Sequence, residues 1–181
     1  MKSARRRSRE FALQALYQWQ LAGQNLADIE KQYAAADDFD KADAKLFSLL
    51  VSGVLKHRDV LESALVPHLD RVWMEVSPIE RAVLLIAAQE LTAMNDTPYR
   101  VIINEAIELA KSFGGTDGHK YVNGVLDKFA ALARAPEIDA QGERPAPKRA
   151  RVAKPAPTVT TKARRVAKAP ATVTKKITGK S

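Results

Sequence analysis

Apolar positions recur at three-to-four-residue spacing through residues 76–129 and predict three consecutive helices there. Ser77, Pro78 and Glu80 put a capping hydroxyl, a first-turn proline and a reciprocal capping carboxylate in register, which starts a helix. The residues that follow, Ile79, Ala82, Val83, Leu84, Leu85, Ile86, Ala87, Ala88 and Leu91, are apolar nearly all round. A helix without a polar face lies buried between others, so Pro78–Ala93 is predicted to be the central rod. The second helix is expected to use Thr97 as cap and Pro98 as its first residue, with the stripe Ile103, Ala106, Ile107, Ala110 and Phe113. Gly114 is expected to end it in the left-handed conformation. After the turn at residues 115–118, the third helix carries Val122, Val125, Leu126, Phe129, Leu132 and Ala133 inward. Gly124 inside it costs roughly 1 kcal/mol against alanine and is read as a point of close helix approach.

Upstream, a first helix is predicted from Ser3 or Ala4 to Ala22, closed by Gly23, with Ala12, Leu13, Leu16, Trp19 and Ala22 facing the core. A short second helix covers residues 25–36, and Asp37, Asp38, Phe39 and Asp40 form an acidic turn. From Lys41, the stripe Phe47, Leu50, Val51, Val54, Arg58, Leu61 and Leu65 predicts one long helix or two nearly collinear ones, stopped before Pro67. The expectation is an all-α body of six or seven helices in two roughly three-helix bundles spanning residues 1–134, with short antiparallel links.

The remainder is a different kind of polymer. RVAKPAPTVTTK at residues 151–162 recurs as RVAKAPATVTKK at 165–176, rich in Ala, Pro, Thr and Lys. Such a segment cannot bury enough apolar surface to offset its chain entropy, so residues 135–181 are expected to be a disordered basic tail.

Charge sharpens this division. Residues 134–181 hold 13 Lys/Arg against 3 Asp/Glu, whereas residues 1–133 hold 16 against 18. Polyanion binding, if present, is local to the basic N-terminus and the tail. Arg5, Arg6, Arg7 and Arg9 cover every face of the first helix's opening turns and oppose its macrodipole. Two readings stay open: a solvated, frayed terminus, or a cluster awaiting an anion. Tyr17 is either an edge-of-core residue or a platform for a base. Repeats like those of the tail resemble linker-histone-like tails, which bind nucleic acid through counterion release; an inert solubilising appendage is the other reading.

Little points to catalysis. His57, His68 and His119 are scattered, HExxH is absent, and the chain has no cysteine. The loop from Gly114 to Lys120 has the wrong spacing for a phosphate loop, Tyr121 stands where Ser/Thr would bind magnesium, and a helix precedes it where a strand is needed. No enzyme activity and no cofactor are expected. The longest apolar runs fall short of the ~18 residues of a membrane span, and the lack of cysteine fits a cytoplasmic setting.

Three motifs in order, RRRSREFALQALYQWQ (residues 5–20), INEAIELAKSFG (103–114) and HKYVNGVLDK (119–128), resemble the NusB family of transcription antitermination factors over about residues 3–132. That resemblance implies an all-helical protein that binds the boxA element of nascent ribosomal RNA together with NusE, a small-subunit ribosomal protein, in the elongation complex of RNA polymerase. It implies that Arg5, Arg6, Arg7 and Arg9 form a basic arm holding RNA phosphates. Tyr17 and Glu80 match positions at the NusE and RNA surface, and Asp117, Lys120 and Tyr121 match the segment bordering RNA. Glu80 is equally explained as a capping residue, and Asp117 as an N-cap. A nonspecific nucleic-acid compactor driven by the tail is the alternative function.

Overall fold

The computed structural model describes residues 3–140, and these contain seven helices and no strand. They are α1 (Ala4–Ala22), α2 (Leu26–Ala34), α3 (Ala44–Leu65), α4 (Pro78–Ala93), α5 (Tyr99–Phe113), α6 (Gly118–Ala133) and α7 (Ala135–Ala140). Helices α1–α3 pack on one another, as do α4–α6, and α4 also packs on α1 and α3, so it joins the two groups. The tail expected beyond residue 140 lies outside the described residues.

Local chemistry explains the starts. Ser3, Asn25, Asp43 and Ser77 each accept a hydrogen bond from a first-turn backbone N–H of α1, α2, α3 and α4. Ser77 and Glu80 complete the reciprocal box. Gly23 closes α1 at φ 65°, the left-handed region that a side chain would strain. Helix α3 is a single element interrupted at His57 (φ −110°, ψ 16°). Phe11, Tyr33, Phe39 and Phe47 knit α1, α2 and α3 through mostly edge-to-face contacts of 5.1–6.0 Å.

Ten consecutive residues of α4, Ala82 to Leu91, are buried, and two of them are the polar Gln89 and Glu90. A carboxylate 1% exposed requires a partner. Arg9 supplies it, with Nε 2.8 Å from Oε1 and Nη2 2.6 Å from Oε2 of Glu90, and a further contact of 3.7 Å to Glu105. Burial alone would depress the Arg9 guanidinium, but the hydrogen bond and charge of Glu90 override it and raise its pKa. The C-terminal carbonyls of α4 are satisfied from elsewhere too: Arg134 donates to the carbonyls of Leu91 (2.6 Å), Met94 (2.8 Å) and Glu90 (3.3 Å), while its Nη1 pairs with Glu137 at 2.9 Å.

Several expectations are corrected. Arg9 does not share the arm's surface, being 3% exposed. The body continues past residue 134 through α7, whose Ile138 is 4% exposed and whose Glu137 accepts the Tyr99 N–H. Helix α5 begins at Tyr99 with Pro98 in the cap position, and the buried Thr97 instead accepts from Arg5. Its inner face is Ile102, Ile103, Ala106, Leu109 and Ala110, leaving Phe113 at the rim. Gly114 is extended (φ −88°), so it is wanted for space: a Cβ there would lie 2.6 Å from the Ala110 carbonyl oxygen. Gly124 faces open space, and the close approaches occur at Gly53 against Gln89 and at Gly118 against Glu80. Leu132 is exposed and Ala130 takes its inward place; Arg58 is half exposed, lying over Trp19.

Arg9→Ala is therefore expected to cost about 3–5 kcal/mol, because it strands a buried carboxylate. Replacing both partners by apolar residues (Arg9→Met with Glu90→Leu) should recover most of that loss in urea denaturation.

Candidate nucleic-acid interface

The remaining arginines of the arm fan out around α1. Arg5 is exposed and its Nη2 donates to the Thr97 hydroxyl at 3.3 Å. Arg6 is half-buried between Glu10 (3.6 Å) and Glu108 (3.5 Å). Arg7 is half-buried, and its charge helps hold the Asp38 carboxyl below its usual range, after the larger effect of Lys41. The first turn of α1 has no acidic residue to offset these cations or the positive helix end.

A second polar cluster sits where α6 begins. Asp117 occupies the N-cap position, yet its side chain accepts nothing from the helix, contrary to the capping role expected of it. It pairs instead with Lys120 at 2.8 Å, both side chains being more than 70% exposed, and that hydrogen bond lowers the Asp117 pKa. Tyr121 is half-buried against the core, and its hydroxyl is buried without a partner. Burial raises the phenol pKa. The ring does not present a bare face: the Arg71 guanidinium lies 4.4 Å from its centroid.

Glu80 links this cluster to α4. Its Oε2 accepts the Ser77 N–H at 3.3 Å, while Oε1 lies 2.7 Å from where a Cβ of Gly118 would be, so the two helix starts meet closely there. Tyr17 is 37% exposed on α1, and Gln20 one turn away donates to the Pro78 carbonyl at 3.1 Å.

These contacts fix direction. Arg9 meets Glu90 near the end of α4 and Gln20 meets Pro78 at its beginning, so α1 runs antiparallel to α4. The arm and the α6 start consequently occupy opposite ends of α4, with Tyr17 near the latter; from Glu80 to Glu90 alone the separation is roughly 15 Å at 1.5 Å per residue.

Sequence reasoning missed Arg71, Leu21 and Met74. Leu21, 64% exposed, follows Tyr17 by one turn; Met74, 74% exposed, brings its sulfur 3.5 Å from Arg81 Nη1. Leu21 breaks the inward stripe of α1, which was a readable signal, whereas Arg71 lies in a connector without periodicity. Among the described residues no group of three or more His, Cys, Asp or Glu is arranged to hold a metal, and no helix is long and apolar enough to cross a membrane.

Residues 6–131, nearly the whole of this helical body, match the model of the NusB family. The chain belongs to the NusB family. It is 55% identical over 139 residues to the transcription antitermination protein NusB of Aromatoleum aromaticum, covering 77% of this chain and 96% of that one. The protein of the same name from Paraburkholderia phytofirmans is 54% identical over 144 residues, covering 80% and 100% respectively. Among solved structures, T. maritima NusB superposes with a TM-score of 0.68 at 29% identity, over 77% of this chain and 99% of that chain. The uncovered part of the chain corresponds in extent to its basic C-terminal segment.

Tyr121→Phe removes a buried hydroxyl that has no partner, so thermal denaturation should show unchanged or higher stability, by up to about 1 kcal/mol. Tyr121→Ala should lower it, through lost core packing.

Proposed function

We propose that this protein is an RNA-binding transcription antitermination factor that recognises boxA-type single-stranded RNA together with NusE and acts within the elongation complex of RNA polymerase. Membership of the NusB family supports the antitermination role in general. The observation that carries the RNA reading is the antiparallel packing of α1 on α4, which sets Arg5, Arg6 and Arg7 at one end and Lys120 and Tyr121 at the other. Single-stranded RNA is held by Arg and Lys along its backbone and by stacking of splayed bases.

Arg9 has no part in phosphate contact, since its guanidinium is committed to Glu90. Tyr17 and Glu80 form the partner surface for NusE, where Leu21 and Met74 add exposed apolar area suited to protein contact. Glu80 serves this surface through its position at the box that starts α4.

The second reading, a nonspecific nucleic-acid compactor, is favoured by one feature: residues 141–181 carry 12 Lys/Arg against a single acidic residue. Truncation separates the two, and it must fall after residue 140, because removing Arg134 and Ile138 would unfasten α4 and open the core. If the 1–140 protein binds boxA RNA with NusE more tightly than scrambled RNA, the antitermination reading holds; if all RNA binding goes with the tail, the compactor reading replaces it.

In that 1–140 background, Arg5→Ala/Arg6→Ala/Arg7→Ala should weaken boxA and scrambled RNA alike and flatten the salt dependence by roughly 0.7 log units per lost contact. Unchanged affinity and slope would remove the arm from the interface. Asp117→Asn takes away the partner of Lys120 without removing a cap. It should tighten RNA binding about two- to fivefold at low salt, a gain that fades as salt is raised. Asp59→Asn, at an exposed carboxylate of α3 outside the proposed interface, is the charge-matched control and should give a smaller change.

A further inference from the structure

Three guanidinium groups lie over aromatic rings among the described residues, and they are not equivalent. Arg58 stands 5.6 Å from the Trp19 ring beside the kink of α3, and Arg100 stands 5.8 Å from the ring of the largely buried Tyr99. Arg71 is nearer, at 4.4 Å, and its ring is that of Tyr121, next to Lys120 at the start of α6. Asp70 fixes it from the other side: Oδ1 accepts from Nε at 2.8 Å and Oδ2 from Nη2 at 3.5 Å. Held by Asp70 and set over the ring of Tyr121, the guanidinium is fixed in place while the side chain remains 43% exposed.

This arrangement changes what the site offers to RNA. The Tyr121 hydroxyl is buried and one ring face is covered, so a base arriving from solvent meets Arg71 before the tyrosine. The charge of Arg71 is already matched by Asp70, which weakens it as a phosphate clamp and leaves its planar face as the feature on offer. Guanidinium planes stack bases of single-stranded RNA as aromatic rings do.

We infer that Arg71, seated between Asp70 and the ring of Tyr121, is the outer leaf of a subsite for one nucleobase of single-stranded RNA, with Asp70 as its positioning residue. The subsite rests on the RNA-binding reading given above. It assigns the base-stacking role to a connector residue and makes Tyr121 the support beneath it.

The test uses the full chain in the presence of NusE, with fluorescein-labelled boxA RNA and a set of the same RNA with one abasic position each, read by anisotropy across a salt series. Wild type should lose about 5- to 100-fold in affinity at one abasic position, the range for a single stacked base. Arg71→Ala should weaken the intact RNA by a comparable factor and erase the penalty at that position. Arg71→Lys keeps the charge and loses the plane, so it should resemble Arg71→Ala, with the salt slope of wild type retained in both. Folding is checked by thermal denaturation, which an exposed side chain should leave nearly unchanged. Recovery of wild-type affinity in Arg71→Lys, or a slope flattened by about 0.7 in Arg71→Ala, would make Arg71 a phosphate contact and overturn the stack. Tighter binding by Arg71→Ala would overturn it too, since the guanidinium would then be a cover that bases must displace. Should wild type fail to bind the RNA, the functional reading itself falls; should it bind with no position-specific loss, only the subsite falls.

Discussion

The buried pairing of Arg9 with Glu90 is the constraint to which the rest of the structure answers. A helix as apolar as α4 slides and rotates easily against its neighbours, because hydrophobic contact has no direction. A carboxylate at one site inside it, met by two hydrogen bonds from a single guanidinium, admits one register. Breaking such a pair leaves an uncompensated charge, so alternative packings of α1 on α4 are excluded more strongly than the native one is stabilised. Arg134 repeats the device at the end of α4, joining α6 and α7 to the same point through hydrogen bonds to the carbonyls of Glu90, Leu91 and Met94.

That register decides which of the separate motifs share an end of the fold. With α1 antiparallel to α4, Tyr17 comes to the helix start that holds Glu80, and the Gly118 contact brings Asp117, Lys120 and Tyr121 to the same end. The arm stays at the far end, beside α5, where Glu108 meets Arg6. One of four consecutive-looking arginines is thus a structural part, and its three neighbours take their positions from it.

Caps that act within a few residues of themselves were legible in the sequence, as with Ser77 and Glu80 at the start of α4 and Gly23 at the end of α1, whereas the starts of α5 and α6 were not. The inward stripe of α4 was legible for the same reason, and that of α1 as far as Trp19, whereas Ala22, expected to face the core, is exposed. What escaped depends on partners far along the chain. Nothing near Arg9 announces Glu90, 81 residues away, and nothing near Arg134 announces the carbonyls it covers. Gly114 and Gly124 misled because glycine has two uses, conformation and space, and only neighbours in three dimensions tell which applies. Asp117 misled because a competing lysine lies one turn away. Arg71, which lies over the ring of Tyr121, escaped because it sits in an aperiodic connector.

The cations of this surface are largely matched within the folded body: Arg6 with Glu10 and Glu108, Lys120 with Asp117, Arg71 with Asp70. An RNA phosphate arriving there exchanges one ion pair for another, and exposed pairs differ little in energy. On the proposed function, charge on the body would therefore contribute less to affinity than the count of basic residues suggests, and a larger share would fall to stacking and to the protein partner. Discrimination between RNA sequences benefits, because phosphates are alike on every RNA while bases are not. The segment beyond residue 140 has the opposite character, with 12 basic residues and one acidic. On the proposed function, attraction of such a basic segment to polyanions would be strongly salt-dependent, while discrimination between RNA sequences would fall to the helical body.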